Sequence, residues 1–374
     1  MAHPPRILLA AGGTGGHLFP AEALAVELVK NGIEIHLATD ARGMAYGGAF
    51  PATERHAIRA ATPSGKSPLA LAKAVLALGF GFVQSLRLIH RLKPDAVIGF
   101  GGYPSVPPVL AAWVLGVPAL VHEQNGVLGR ANRFLAGRVK VIATGFMDVK
   151  AVPDPVRFKM RLVGNPVRPA VLKAAEGAYQ PIAPNGIIHL LVTGGSQGAR
   201  IMSDVVPKAL GLLPPDLKFR LSIVHQARGD DLVVAERNYS DAGIKADIRA
   251  FFDDLPQRMA YSHIVLGRAG ASTVAELGVI GRPSILVPLP GSLDQDQAAN
   301  AASLAQIGAA IVMRQADFTA KALADQLEWL FTHPSELTDS SVAAKSAGIP
   351  DAAARLAFLV ADVAGLSMKR SNGL

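Results

Sequence analysis

The 374-residue chain has no cysteine. Disulfides and thiolate metal sites are therefore excluded, and a reducing compartment is compatible. Charge is also sparse: 18% of residues are charged, against 50% hydrophobic. That balance excludes general disorder and fits a well-buried α/β protein. There is no long Lys/Arg block and no arginine-rich tail, so the net charge of +8 is dispersed. Such a surface attracts phosphorylated substrates or an acidic bilayer, and nucleic acid is not expected as a partner. No signal peptide is expected, because Met1 to Arg6 leads straight into a short apolar strand and a glycine loop. Uninterrupted apolar runs are missing too. Lys73, Gln84 and Arg87 interrupt residues 69–92, and Pro104, Pro107, Pro108 and Pro118 break residues 104–121. A span needs about 20 nearly unbroken apolar residues. Neither stretch is expected to cross a membrane, and a soluble or peripheral protein is expected.

What is present is a repeated grammar. Arg6 to Ala11 is apolar without alternation, as in a parallel strand buried on both faces. Gly12-Gly13-Thr14-Gly15-Gly16-His17 follows, then a helix predicted from Pro20 to Lys30 that stops at Asn31-Gly32. Ile33 to Thr39 completes a βαβ unit. Further strands are predicted over Asp95–Phe100, Pro118–His122 and Val139–Thr144. After a proline-rich stretch the pattern restarts: Ile187–Thr193 enters Gly194-Gly195-Ser196-Gln197-Gly198-Ala199-Arg200. Phe219–His225, Ile264–Gly267 and Ser284–Pro288 read as strands, and Ala298–Gln306 as a helix. The fold expected is α/β, with two doubly wound parallel-sheet domains facing each other across a cleft that binds ligand at the carboxyl ends of the strands. The first domain is placed at residues 1–163, a linker at 164–186 and the second domain at 187–347. A helix at 348–366 is expected to pack back towards the first domain, and 367–374 to form a frayed tail.

Three glycine loops, opening at Gly12, Gly194 and Gly270, join a strand to a helix. Without side chains, backbone N–H groups approach a phosphate, and the helix N-terminus adds positive potential. A tight turn also wants glycine, so each loop alone is a weak signal. The dinucleotide fingerprint fails because Leu18 stands where its third glycine belongs. The Ser64-Gly65-Lys66-Ser67 string lacks both the first glycine and the preceding strand of a P-loop. His122-Glu123 lacks the second histidine of a zincin. Asp294-Gln295-Asp296 resembles a metal-binding D-x-D, but no metal is expected there.

Several strings together resemble the MurG family, the peptidoglycan N-acetylglucosaminyltransferases of GT-B fold. They are Gly12 to His17 with Phe19-Pro20, Phe100 to Ser105, His122-Glu123-Gln124-Asn125, Val163 to Arg168, Gly194 to Arg200, and Gly270 to Glu276. The resemblance runs in order along nearly the whole chain. It implies transfer of GlcNAc from UDP-GlcNAc, with inversion, to the C4 hydroxyl of MurNAc-pentapeptide on undecaprenyl diphosphate, with no cofactor required. It places the donor mainly on the second domain. Asn125 would reach the sugar, Arg168 and Ser196 the diphosphate, helped by Ala271, Ser272 and Thr273. Glu276 would accept from the ribose hydroxyls, Phe252 would frame uracil through its backbone, and Gln297 would contact nucleoside or sugar. Family members often carry two glutamines where this chain has Asp296-Gln297. Thr14, Gly15 and Gly16 would face the acceptor diphosphate.

Read from the residues alone, Arg168 serves equally in a linker ion pair, Glu276 as an exposed first-turn charge, and Asn125 as a turn former. The chemistry needs a base and positive potential at the leaving diphosphate. His17 is the candidate base, with phosphate binding or loop bracing as its alternative, and Glu123 is the second candidate. Residues 66–93 are apolar at Ala74 to Val83 and flanked by Lys66, Lys73, Arg87, Arg91 and Lys93. With Phe82 and Trp113, they suit a peripheral site on the anionic cytoplasmic face of the bacterial inner membrane. A buried helix with charged ends fits the same pattern. Another GT-B lipid or natural-product transferase, or a non-catalytic sugar-nucleotide-binding module, are the remaining readings.

Overall fold

The computed structural model describes residues 4–13, 15–45, 50–61, 68–195 and 198–368. Two compact units result, Met1–Arg168 with Pro350–Leu374, and Pro169–Ile349. The first holds a seven-stranded sheet of β1 (Arg6–Ala11), β2 (Glu34–Thr39), β3 (Glu54–Ala57), β4 (Ala96–Gly99), β5 (Ala119–Glu123), β6 (Val141–Thr144) and β7 (Met160–Leu162), in the order β3-β2-β1-β4-β5-β6-β7. The second holds β8 (Ile188–Thr193), β9 (Leu221–Gln226), β10 (Ala246–Arg249), β11 (Ile264–Gly267), β12 (Ser284–Leu286) and β13 (Ala310–Val312), in the order β10-β9-β8-β11-β12-β13. All pairings are parallel. The second order repeats the first without its last strand.

Apolar runs without alternation form the central strands because helices cover both faces. In the first unit, Ile7, Leu9, Ile35 and Ile98 pack on one face with Leu18, Leu24 and Leu28 of the helix Gly15–Lys30. Leu356 and Val360 of the C-terminal helix Ala352–Ala364 join that cluster. On the opposite face, Leu8, Ala10 and Val97 meet Leu88, Ile89 and Val109 from the helices Pro68–Leu92 and Val106–Val114. In the second unit, Leu190, Val192, Leu266 and Ile285 pack with Met202, Val206 and Leu327.

Two sequence expectations change. The first helix begins at Gly15, and Pro20 lies inside it. Proline supplies no N–H to the Gly16 carbonyl, which is why the sequence suggested a later start. The stretch Leu71–Leu92 forms 22 helical residues and is, by length and composition, long and apolar enough to cross a membrane. Its interruptions do not exclude it on those grounds. Packing separates its faces: Ala74, Leu88, Ile89 and Leu92 are buried, whereas Leu71, Val75, Leu76, Phe80 and Val83 are exposed. Phe82 packs against the core, so the exposed ring is Phe80.

The C-terminal helix is part of the first unit's core, since Leu356 has no exposed surface. Leu356→Ala should therefore destabilise that unit by about 2–5 kcal/mol. Urea unfolding monitored by tryptophan and far-UV signals measures this, and a loss below about 1 kcal/mol would contradict the packing.

Candidate functional site

In a doubly wound sheet, crossovers leave the two central strands in opposite directions and open a crevice at their carboxyl ends. In the first unit that point lies between β1 and β4. The Gly12 loop leaves β1 there, and the Phe100-Gly101-Gly102 loop leaves β4. His17 stands in the first turn of the helix Gly15–Lys30, between the two loops. A Cβ on Gly102 would lie 3.2 Å from His17 Cε1, one on Gly101 3.5 Å from Nε2, and one on Gly12 3.5 Å from Nδ1. Gly101 and Gly102 also take φ of +83° and +69°, the left-handed region that glycine adopts without strain. The imidazole thus occupies space that three missing side chains leave open. Desolvation, then Arg42, lower its pKa to about 4 against the opposing pull of Asp40, and the ring is neutral at pH 7. Thr14 lies outside the described residues; Gly15 and Gly16 open the helix.

At the carboxyl end of β5, the His122–Asn125 string meets the chain leaving β7. His122 Nε2–H donates to the Gly164 carbonyl at 3.0 Å. Its Nδ1 accepts from Gln124 Nε2 at 3.0 Å, and Asn165 Nδ2 donates to the Gln124 carbonyl at 2.8 Å. The carbonyl can only accept, so these partners fix the tautomer. Glu123 is buried, and its carboxylate accepts from four donors. Oε1 receives the Asn125 backbone N–H at 3.0 Å and Asn125 Nδ2 at 3.3 Å. Oε2 receives Gly129 N–H at 2.9 Å and Asn132 Nδ2 at 2.8 Å. Burial raises the carboxyl's proton affinity and these bonds pull against it, with burial prevailing. The arrangement sets the turn that carries Asn125, which is half-buried. Arg168 lies with its guanidinium carbon 4.8 Å from the Phe19 ring centre, beside the first glycine loop.

The second unit repeats this geometry between β8 and β11. Ser196 and Gln197 lie outside the described residues. Ala271, Ser272 and Thr273 open the helix Ala271–Ile280 after Gly270, with no side-chain cap on their N–H groups. Asn300, fully buried, donates from Nδ2 to the Ala269 carbonyl at 3.1 Å and holds this loop. Glu276 sits in the second turn and is buried, so the exposed first-turn reading does not describe it. Gln297 Oε1 accepts the Leu289 N–H at 3.0 Å. Asp296 accepts the Gln297 N–H at 2.7 Å. Phe252 is buried beneath the guanidinium groups of Arg258 and Arg249, 4.4 and 5.3 Å from its ring centre.

Sequence reasoning passed over Arg268, Asn132, Asn165 and Asn300. Arg268 is buried at the end of β11 and donates to the Val287 carbonyl at 3.0 Å and Gln315 Oε1 at 2.7 Å. A lone cation directly after an apolar strand was its available signal. Asn132 and Asn300 gave none, and Asn165 stood within the Val163 to Arg168 string without showing that its partner is the Gln124 carbonyl.

Residues 7–144 match the glycosyltransferase family 28 N-terminal domain, and residues 189–356 match the family 28 C-terminal domain. A Methylobacterium sp. protein named UDP-N-acetylglucosamine–N-acetylmuramyl-(pentapeptide) pyrophosphoryl-undecaprenol N-acetylglucosamine transferase is 57% identical over 96% of this chain and 97% of its own. A Methylobacterium nodulans protein of the same name is 58% identical over 96% of this chain and 97% of its own. The crystal structure of Acinetobacter baumannii MurG superposes with a TM-score of 0.77 at 28% identity, covering 96% of this chain and all of that one. The chain belongs to the MurG family of glycosyltransferases. Both switch points fall within the matched stretches, and so do Glu123, Asn125 and Glu276. The Gly164–Arg168 segment lies between them. It is tied to the His122–Asn125 string by hydrogen bonds, so it belongs structurally to the first family 28 domain.

Burial of His122 lowers its pKa from 6.5 to about 4, with the Gly164 bond opposing. Between those values the unfolded chain binds a proton that the folded chain does not, so stability rises with pH there. Acidification from pH 6.5 to 4 should remove on the order of 3 kcal/mol through this one group. Imidazole nitrogen NMR checks the cause: the ring should remain neutral at pH 5.5, and protonation there would contradict it.

Proposed function

We propose that this protein transfers GlcNAc from UDP-GlcNAc to the C4 hydroxyl of MurNAc-pentapeptide linked through diphosphate to undecaprenol. The observation that carries this reading is the near-complete match to transferases whose names state that reaction. The two sheet switch points support it, since each offers a glycine loop and an uncapped or glycine-opened helix start suited to anionic ligands.

In this reading the acceptor oxygen attacks the anomeric carbon as the bond to UDP breaks, which inverts an α-donor to a β-product. His17 takes the hydroxyl proton. Its ring is neutral, and Asp40 favours the imidazolium that forms. UDP leaves with the bonding electrons. The N–H groups of Ala271 to Thr273 face its negative charge, aided by Arg168 and Ser196. Glu276 accepts from the ribose hydroxyls, the Phe252 backbone frames uracil, and Asn125 and Gln297 orient the donor. Thr14, Gly15 and Gly16 serve the acceptor diphosphate. Glu123 acts as a positioning residue for Asn125, because four donors already occupy its oxygens.

We also assign attachment to the anionic cytoplasmic face of the plasma membrane to one side of the helix Pro68–Leu92. Leu71, Val75, Leu76, Phe80 and Val83 are exposed there, and Trp113 is exposed on the neighbouring helix. Lys73, Arg87, Arg91 and Lys93 are exposed on or beside the same helix. Lys66 lies outside the described residues. An apolar face with a cationic rim gains from both lipid burial and anionic headgroups.

Release of UDP from UDP-GlcNAc should depend on a lipid-diphosphate-MurNAc acceptor. Release only with a different acceptor would move the protein to another GT-B activity, and donor binding without turnover would make it a binding module. His17→Ala should lower kcat by about 10²–10⁴-fold with donor affinity unchanged; near-intact turnover would remove the base. Co-sedimentation with anionic vesicles at low salt should be lost in a Leu76→Glu/Phe80→Glu variant that still turns over a short-chain acceptor. Equal sedimentation of variant and parent would refute this surface.

A further inference from the structure

The edge strand β3 is joined to β2 by a row of four polar side chains that the transfer reaction does not use. Glu34 Oε1 lies 3.1 Å from His36 Nε2. His36 Nδ1 lies 3.2 Å from His56 Nε2, and His56 Nδ1 lies 3.6 Å from Glu54 Oε1. Strand register sets the row, with His36 opposite Glu54 and Ala38 opposite His56. Both imidazoles are nearly closed to solvent, with side-chain exposures of 6% and 8%. Their rings stack at an interplanar angle of 18°. Arg6 Nε holds Glu34 from its other oxygen at 2.8 Å.

Hydrogen accounting leaves the centre of this row two arrangements. Glu34 accepts from His36 Nε2–H, which makes His36 Nδ1 an acceptor, whereas His56 Nδ1 at 3.6 Å is too far from Glu54 for a hydrogen bond. With its hydrogen on Nε2, His56 donates to His36 Nδ1; with it on Nδ1, the inner nitrogens present two lone pairs to each other. A cation between them turns repulsion into attraction. Metal–nitrogen bonds of about 2.0–2.1 Å at a tetrahedral angle put two ligand nitrogens about 3.3 Å apart, close to the observed spacing. A carboxylate on the outer nitrogen, as Glu34 gives His36, is the arrangement that fixes the tautomer of a metal-bound imidazole. Glu54, with its side chain 58% exposed, has open space around it in which to turn inward as a third ligand. One donor atom from each of His36, Glu54 and His56 lies within 4.8 Å of the others.

We propose that His36 and His56, completed by Glu54, bind a zinc-class divalent cation that staples the edge strand β3 to β2. Two imidazoles and a carboxylate suit zinc, nickel or copper rather than magnesium or calcium, which prefer all-oxygen shells. Arg91 opposes the cation, and the charges of Glu34 and Glu54 offset it. The site lies on β2 and β3, away from the β1–β4 switch point, so the cation is structural. The competing arrangement is metal-free, a neutral hydrogen bond from His56 Nε2–H to His36 Nδ1.

Calorimetric titration of the tag-free, chelator-treated chain with zinc chloride separates the two. One saturable site is expected, with affinity at least tenfold weaker in His56→Gln and several-fold weaker in Glu54→Gln. Saturating zinc should raise the Tm of the parent by about 2–4 °C and leave that of His56→Gln unmoved. Should His56→Gln fail to fold, Glu54→Gln, at an exposed position, carries the test. Absence of saturable binding at millimolar zinc, or equal affinity in parent and both variants, would overturn the proposal in favour of the metal-free hydrogen bond.

Discussion

The constraint on which the rest of the structure depends is the reversal of direction at the centre of each sheet. Parallel strands need crossovers, and crossovers that diverge from adjacent strands leave a crevice that no helix covers. β1 and β4 form one such pair, and β8 and β11 the other. Loops that leave these strands must turn tightly, so glycine is favoured. The same absence of side chains admits the His17 ring on one unit and leaves helix N–H groups uncapped on the other. Fold economy and site chemistry therefore draw on the same residues.

Around the first crevice, buried polar side chains are joined by hydrogen bonds. Glu123, His122, Gln124, Asn132 and Asn165 are all nearly closed to solvent. An ionised carboxylate in such a place is tolerable only with donors around it, and Glu123 has four. Removal of any one partner leaves an unsatisfied buried group, which costs more than the bond itself contributes. That asymmetry holds the turn bearing Asn125 in one geometry.

The helix Pro68–Leu92 satisfies two demands at once. One side completes the core of the first unit, and the other presents five large apolar residues to solvent. Composition alone makes it resemble a membrane span. Packing distinguishes its sides, since Ala74, Leu88, Ile89 and Leu92 are buried while Leu71, Val75, Leu76, Phe80 and Val83 are exposed.

Much was legible in the sequence. Central strands announced themselves as unbroken apolar runs, because burial on both faces removes any reason for alternation. The glycine loops marked the strand ends, and their repetition gave the tandem doubly wound fold. The family strings gave the chemistry. Edge strands escaped: Glu54–Ala57, Met160–Leu162 and Ala246–Arg249 are short and polar, since an edge is half solvated and carries little apolar signal. The early start of the first helix escaped because Pro20 imitates a helix beginning. Tertiary structure alone placed Gly164 and Asn165 on the His122–Asn125 string, buried Glu276, separated Phe80 from Phe82, and brought His36 against His56. The reason is common to all four. Local sequence determines backbone periodicity and turn chemistry, whereas the partner of a polar side chain comes from whichever distant segment the sheet order sets beside it.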